Sequence, residues 1–188
     1  MKGQSGYQNT AAYQKIASNK LFPTQTDDDV KSIALRYLIH YVGDLHQPLH
    51  AVTLYSPQFV SGDRGGNSFS VTGSQGVNNL HALWDSALYE LGGSPKMPLS
   101  PADWTKLGQT TSGLVNKHAE VKPVSSDVNP HDWALESLMV AQNFVYKGID
   151  ANGQVPQSYI QQSQSAAEAQ IVKAGTRLSN ILKDIYRL

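Results

Sequence analysis

The sequence predicts a mainly α fold, a single domain built as a helical bundle with a small β-containing loop insertion. Three observations predict it. Long segments repeat apolar residues at helical spacing, several of them open on a capping residue, and one stretch alone turns glycine-rich with alternating apolar positions. At 188 residues the chain suits one domain with a substantial core.

The pattern predicts a short helix over residues 7–19, ended by Asn19 and the "FPTQT" turn. In "TDDDVKSIALRYLIHYVGD" that follows, Thr26 can cap and three aspartates favour the positive end of the helix dipole. A buried helix over 27–46 is expected, with Ile33, Tyr37, His40 and Asp44 on one face. Pro48 breaks it, and Leu49-His50 continue inward. From Thr53 to Asn78, "GDRGGNSFSVTG" reads as a loop followed by a short strand. "NNLHALWDSALYEL" resumes as a helix capped by Asn78 or Asn79, with Leu80, Leu83, Trp84, Ala87, Leu88 and Leu91 apolar. Ser100-Pro101 and Asn129-Pro130 each place a cap before a proline at the first helical position. Pro156 to Leu188 is a long amphipathic pattern, mostly polar to Ser165 and then carrying Ile171, Leu178, Ile181, Leu182 and Ile185.

The charges balance at 15 Lys plus Arg against 15 Asp plus Glu, so no basic surface advertises nucleic-acid binding. A protein of this composition that handles phosphates must draw its positive charge from a local source. The absence of cysteine excludes disulfides and thiolate metal sites. No apolar run approaches the ~20 residues that span a bilayer. "MKGQSGYQNTAAYQK" lacks the apolar core of a signal peptide.

Chemistry concentrates in "LIHYVGDLHQPLH", residues 38–50, where an apolar helix holds His40, Asp44, His46 and His50. Asp is seldom fully buried without a partner, so either a cation belongs there or the segment is less buried than its pattern suggests. "HYVGD" at 40–44 and "HALWD" at 81–85 share one grammar, an imidazole and a carboxylate at i and i+4, which project from one helix face and can converge on one ion. His50 adds a third imidazole. Nitrogen and oxygen donors without thiolate suit Zn²⁺, and zinc ions close together would neutralise a phosphate's developing charge. The alternative is that His40 and Asp44 hydrogen-bond within the core. Two such pairs on apolar helices favour metal, because an unpaired buried carboxylate costs several kcal/mol.

His46 points away from the 40/44 face and reads as a helix-end or supporting histidine. His118, near a helix C-terminus, and His131, in a first turn, read as structural. The glycines of "GDRGGN" could free amides to cradle a phosphate, although a plain turn is the simpler reading. Trp84, Trp104 and Trp133 occupy apolar helical positions and are expected to pack in the core.

Taken together, "HYVGDLHQPLH", "GDRGGN" and "NLHALWD" resemble the S1/P1 nuclease family, and "QIVKAGTRLSNIL" is similar to its C-terminal helix. The resemblance implies a helical fold of the zinc phospholipase C and nuclease type, with three zinc ions. It implies hydrolysis of single-stranded DNA and RNA to 5′-phosphorylated products, together with 3′-nucleotidase activity, by a monomer that is secreted or periplasmic in its parent form. His50, His81 and Asp85 would complete one zinc site. His40 would bind one zinc of a close pair that Asp44 bridges, holding the activated water, and Asn67 matches the position that contacts the substrate base. Family members begin with a zinc-binding tryptophan, followed by a histidine, an aspartate and a second histidine. Upstream of His40 this sequence has neither tryptophan nor histidine. The chain is therefore expected to be an N-terminally truncated zinc nuclease domain that starts at an internal Met1, binds fewer zincs, about one tightly, and has reduced activity. A lipid phosphodiesterase of the zinc phospholipase C kind and a non-enzymatic zinc-stabilised helical domain are the alternatives.

Overall fold

The computed structural model describes residues 11, 14, 18, 26–73, 76–90, 97–121 and 128–187. Nearly all of the helix expected over 7–19 lies outside them, as does Leu91. Helix α1 spans Asp27–His46 and begins at a capping box in which Thr26 Oγ1 accepts from the Asp29 amide and Asp29 Oδ2 accepts from the Thr26 amide. A 3₁₀ turn over Pro48–His50 follows. Next come α2 (Leu80–Asp85), α3 (Pro101–Lys117) and α4 (Pro130–Val140), which continues through one π-helical turn at Ala141–Val145, and α5 (Gln157–Tyr186). The two proline starts form as expected, Ser100 capping α3 and Asn129 capping α4. The chain is mainly α.

Four sequence expectations need correction. Helix α1 is not buried all round: Val30, Ile33, Val42 and His46 are buried, while Tyr37, Ile39 and Tyr41 are exposed. Its apolar residues encircle the axis, but α4 and α5 cover only one stripe of it. The helix after Asn79 stops at Asp85 rather than running to Leu91, because Ala87, Leu88 and Tyr89 all take positive φ. That excursion turns Ala87 and Leu88 into the core together, which a continued helix face would not do. The expected strand is reduced to two isolated bridges, Ser70 with Asn79 and Thr72 with Gln154. Phe69 and Val71 still alternate inward there. Trp104 is 62% exposed on α3, whereas Trp84 and Trp133 are core residues as expected.

The core joins the irregular segment to the helices: Leu49, Phe69, Leu80, Leu83, Trp84 and Val145 meet Tyr159 and Ala167 of α5. Trp84 donates its indole N–H to the Tyr159 hydroxyl, and Tyr159 donates to the Val145 carbonyl beside the π turn. Helix α5 also carries two buried charged groups that no apolar periodicity announces, Glu168 and Arg177. Arg177 Nη1 donates to His46 Nε2 at 2.7 Å, its guanidinium pairs with Glu136 at 2.6 and 3.1 Å, and it lies 5.2 Å from the Trp133 ring centroid. His46 Nδ1–H donates to the Val42 carbonyl, which leaves Nε2 as the acceptor for Arg177. Burial holds this imidazole below its usual range; the Val42 bond opposes that and the Arg177 charge reinforces it. His46 is thus a structural residue of the helix end, in line with its sequence reading.

Glu168 is fully buried and accepts from Lys117 at 2.8 Å and from His118 Nε2 at 2.7 Å, tying α3 to α5. Burial pushes its carboxyl up, but Lys117 and His118 outweigh that and hold it below its ordinary 4.5. A carboxyl depressed in the folded state contributes stability above its unfolded value and loses it as pH falls. Folding stability is expected to drop as pH falls below 4.5. Glu168→Gln should flatten that acid limb and cost about 1–3 kcal/mol near neutrality, through the partners left unpaired. Urea unfolding midpoints of the two proteins across this pH range check it.

Candidate metal centre

The last turn of α1, the Pro48–His50 turn and α2 converge on one surface cleft. Gln47 controls how they meet. Its Oε1 accepts from the Leu49 amide at 2.6 Å, capping the 3₁₀ turn, while its Nε2 donates to Asp85 Oδ1 at 2.8 Å. One side chain thereby aims the α2 carboxylate and fixes the turn that presents His50.

His50 Nε2 stands 3.4 Å from Asp85 Oδ1, and His81 Nε2 stands 3.5 Å from Asp85 Oδ2. The two imidazoles stack with centroids 5.0 Å apart at 22°. One donor atom from each of His50, His81 and Asp85 lies within 4.8 Å of the others. Ligands about 2.0–2.2 Å from a tetrahedral zinc are about 3.4 Å from one another. The two imidazole–carboxylate spacings, one to each Asp85 oxygen, are close to that edge and exceed the usual length of a direct charge-assisted hydrogen bond, while the three donors together lie within 4.8 Å. The donor set, two imidazole nitrogens and a carboxylate, therefore fits zinc with a fourth position open.

The tautomer of His81 is also set. Its Nδ1–H donates to the Gly65 carbonyl at 2.6 Å, leaving the Nε2 lone pair facing Asp85. This is the task of the glycine-rich loop. A Cβ on Gly65 would stand 2.5 Å from the Leu49 carbonyl oxygen, and one on Gly66 3.1 Å from the His81 amide, with φ of +62° and +80°. Asp63, fully buried, accepts from the Leu54 amide, the Thr53 hydroxyl and the Tyr146 hydroxyl, so the loop is held from behind. Burial and the Asp63 carboxylate both push the Tyr146 phenol well up. The amides of Asp63, Gly65, Asn67 and Ser68 already donate within this segment, so a phosphate cradle made of them is not what the loop forms.

Asp44 links this triad to His40. Its Oδ2 is 3.1 Å from His40 Nε2 and its Oδ1 is 3.5 Å from His50 Nδ1. The group is not deeply buried: Asp44, Asp85 and His40 side chains are 36%, 47% and 64% exposed. The second sequence option holds, and the segment is less buried than its pattern suggests. Asn67 is exposed on the glycine loop and donates its amide to the Arg64 carbonyl at 2.9 Å. His131 is an exposed first-turn residue of α4, and His118 is committed to Glu168.

A model of the S1/P1 Nuclease family matches residues 5–187. The chain belongs to this family. Endonuclease 1 of Arabidopsis thaliana is 30% identical over 160 residues, covering 81% of this chain and 49% of that protein. Nuclease P1 of Penicillium citrinum is 29% identical over 169 residues, covering 81% and 57%. Nuclease S1 of Aspergillus oryzae is 39% identical over a shorter stretch of 57 residues. The chain spans about half the length of the curated relatives it matches.

Within this S1/P1 chain, two residues that sequence reasoning passed over organise the site. Gln47 lies in the motif itself, and its polarity beside a helix-breaking proline was the available signal; Gly65 acts through a carbonyl, which no residue type announces. Gln47→Ala is expected to weaken zinc binding roughly 10–100-fold, the range for loss of a group that orients a ligand. Competition with a chromogenic chelator measures that, and retention of wild-type affinity would contradict the assignment.

Proposed function

We propose that this chain forms the zinc-binding part of a phosphoesterase that hydrolyses single-stranded DNA and RNA to 5′-phosphorylated products and also acts on 3′-nucleotides. One observation carries the reading: His50, His81 and Asp85 each offer a donor atom within 4.8 Å of the others, with the tautomer of His81 already chosen. Membership of the S1/P1 family supports the reaction class. Zinc held there would supply a Lewis acid for a phosphoryl oxygen and acidify water at neutral pH.

The chain's own residues have separable tasks in this reading. His50, His81 and Asp85 hold one zinc. Asp44 and His40 would hold a neighbouring metal, and Asp44, which lies between His40 and His50, would be the carboxylate that positions the attacking water. Asn67, exposed on the loop that carries Gly65, is the base-side contact. Unpaired substrate is favoured because a splayed base can enter such a cleft, whereas a stacked one cannot. Among the described residues no helix is long and apolar enough to cross a membrane. By resemblance to the family we place the protein outside the cytoplasm.

Metal analysis after zinc loading is expected to show about one tightly bound ion, the number this donor set can complete. Excess zinc at a hundred times its dissociation constant should add about 2.7 kcal/mol of stability. Asp85→Asn should weaken binding beyond the roughly 10–100-fold lost with an outer-shell partner. Cleavage of poly-adenylate, slow but dependent on Asp44 and indifferent to phosphatidylcholine, tests the reaction class. Undiminished zinc affinity in Asp85→Asn, or lipid hydrolysis in place of nucleic-acid cleavage, would overturn the reading.

A further inference from the structure

The cleft beside the triad encloses about 560 Å³, and Tyr41, Asp44, His50, Arg64 and His81 are on its walls. Arg64 is its one permanent cation. Among the described residues the lysines and arginine in ion pairs are Lys31, Lys117, Lys173 and Arg177; Arg64 is not one of them. Arg64 is exposed and lines a cleft otherwise rich in carboxylate and imidazole, where a cation has a ready use.

The backbone at Arg64 adds a second, independent observation. Its φ is +58°, a conformation that disfavours side chains other than Asn, Asp and Gly. The loop enforces it from both sides. The preceding residue, Asp63, is buried and held by the Leu54 amide and Tyr146 hydroxyl, Gly65 is pressed against the Leu49 carbonyl, and the Asn67 backbone and side-chain amides both donate to the Arg64 carbonyl. Strain of this sort persists only where the surroundings over-determine it, and it concentrates at ligand-contacting positions. A neutral chain that handles a polyanion needs local positive charge, and the guanidinium fork matches two phosphate oxygens at once.

We propose that Arg64 is a phosphate clamp, binding a backbone phosphate of single-stranded nucleic acid in the cleft beside the His50–His81–Asp85 triad. The inference rests on the phosphoesterase reading of that triad. The glycine loop then has two outputs, the Gly65 carbonyl that orients His81 and the adjacent guanidinium that positions substrate. Loop geometry would couple the metal ligand to the substrate phosphate through one peptide unit.

The test uses Arg64→Asn, because Asn tolerates the left-handed conformation and leaves the loop unstrained, with Arg64→Lys beside it. Zinc content, melting temperature and binding of a phosphorothioate decathymidylate, which resists cleavage, are measured for the zinc-loaded full chain over a series of salt concentrations. Arg64→Asn is expected to keep its zinc and its melting temperature, lose about tenfold in oligonucleotide affinity, and show a salt slope shallower by about 0.7, one single-strand phosphate contact. Arg64→Lys should restore the slope but not the whole affinity. Inorganic phosphate as competitor separates the sources: displacement of the oligonucleotide only at much higher concentration supports a backbone contact, and equal potency contradicts it. Unchanged affinity and slope in Arg64→Asn, with zinc bound, overturns the clamp and leaves the metal reading standing. A wild-type chain that binds neither zinc nor oligonucleotide overturns both.

Discussion

The site depends on a buried cation at the end of α1. Arg177, 2% exposed, is held by Glu136 and the Trp133 face, and its Nη1 meets the acceptor nitrogen of His46. Gln170 donates to the His46 carbonyl and Ser137 to the Leu45 carbonyl, so two of the four free carbonyls that a helix leaves at its C-terminus are met from α4 and α5. Three side chains, those of Ser137, Gln170 and Arg177, thus hold this helix end. The residues that follow at once are Gln47, Pro48 and His50, and their placement inherits that rigidity.

From this end the structure builds the candidate metal centre in two converging steps. Gln47 carries the position of α1 across to Asp85, a residue 38 positions away, while Leu49 inserts into the core beneath. The glycine loop arrives from the other side, so close to Leu49 that only glycine fits, and places a carbonyl on His81. Asp85 and His81 are therefore each oriented by a second group, the Gln47 amide and the Gly65 carbonyl, that is itself held by the surrounding chain. Pre-orientation of this kind removes much of the ordering entropy that metal binding would otherwise have to offset.

The chain's patterns disclosed its helix starts and its candidate ligands but not the contacts that join them. Thr26 with Asp29, Ser100 with Asp103, and the Ser-Pro and Asn-Pro pairs are local, so capping chemistry makes them legible. The paired His-x-x-x-Asp spacings are local too, and the structure puts His50 with the second pair. Burial was misread where it depends on what covers a helix: α1 is apolar around its circumference, yet Tyr41 is 55% exposed. The early end of α2 was hidden because three left-handed residues carry no glycine signal. Arg177 with His46, 131 residues apart, and Glu168 with His118, 50 apart, are long-range polar pairs, and hydrophobic periodicity contains no term for them.

The central claim is that this fold presents His50, His81 and Asp85 as one zinc site. The most direct measurement is a crystal structure of the zinc-soaked protein with anomalous data collected at the zinc edge. The account predicts a peak about 2.0–2.2 Å from His50 Nε2, His81 Nε2 and an Asp85 carboxylate oxygen, with the Gly65 carbonyl still bound to His81 Nδ1. A peak held by His40 and Asp44 alone, or a zinc-loaded protein with no density at the triad, would contradict it.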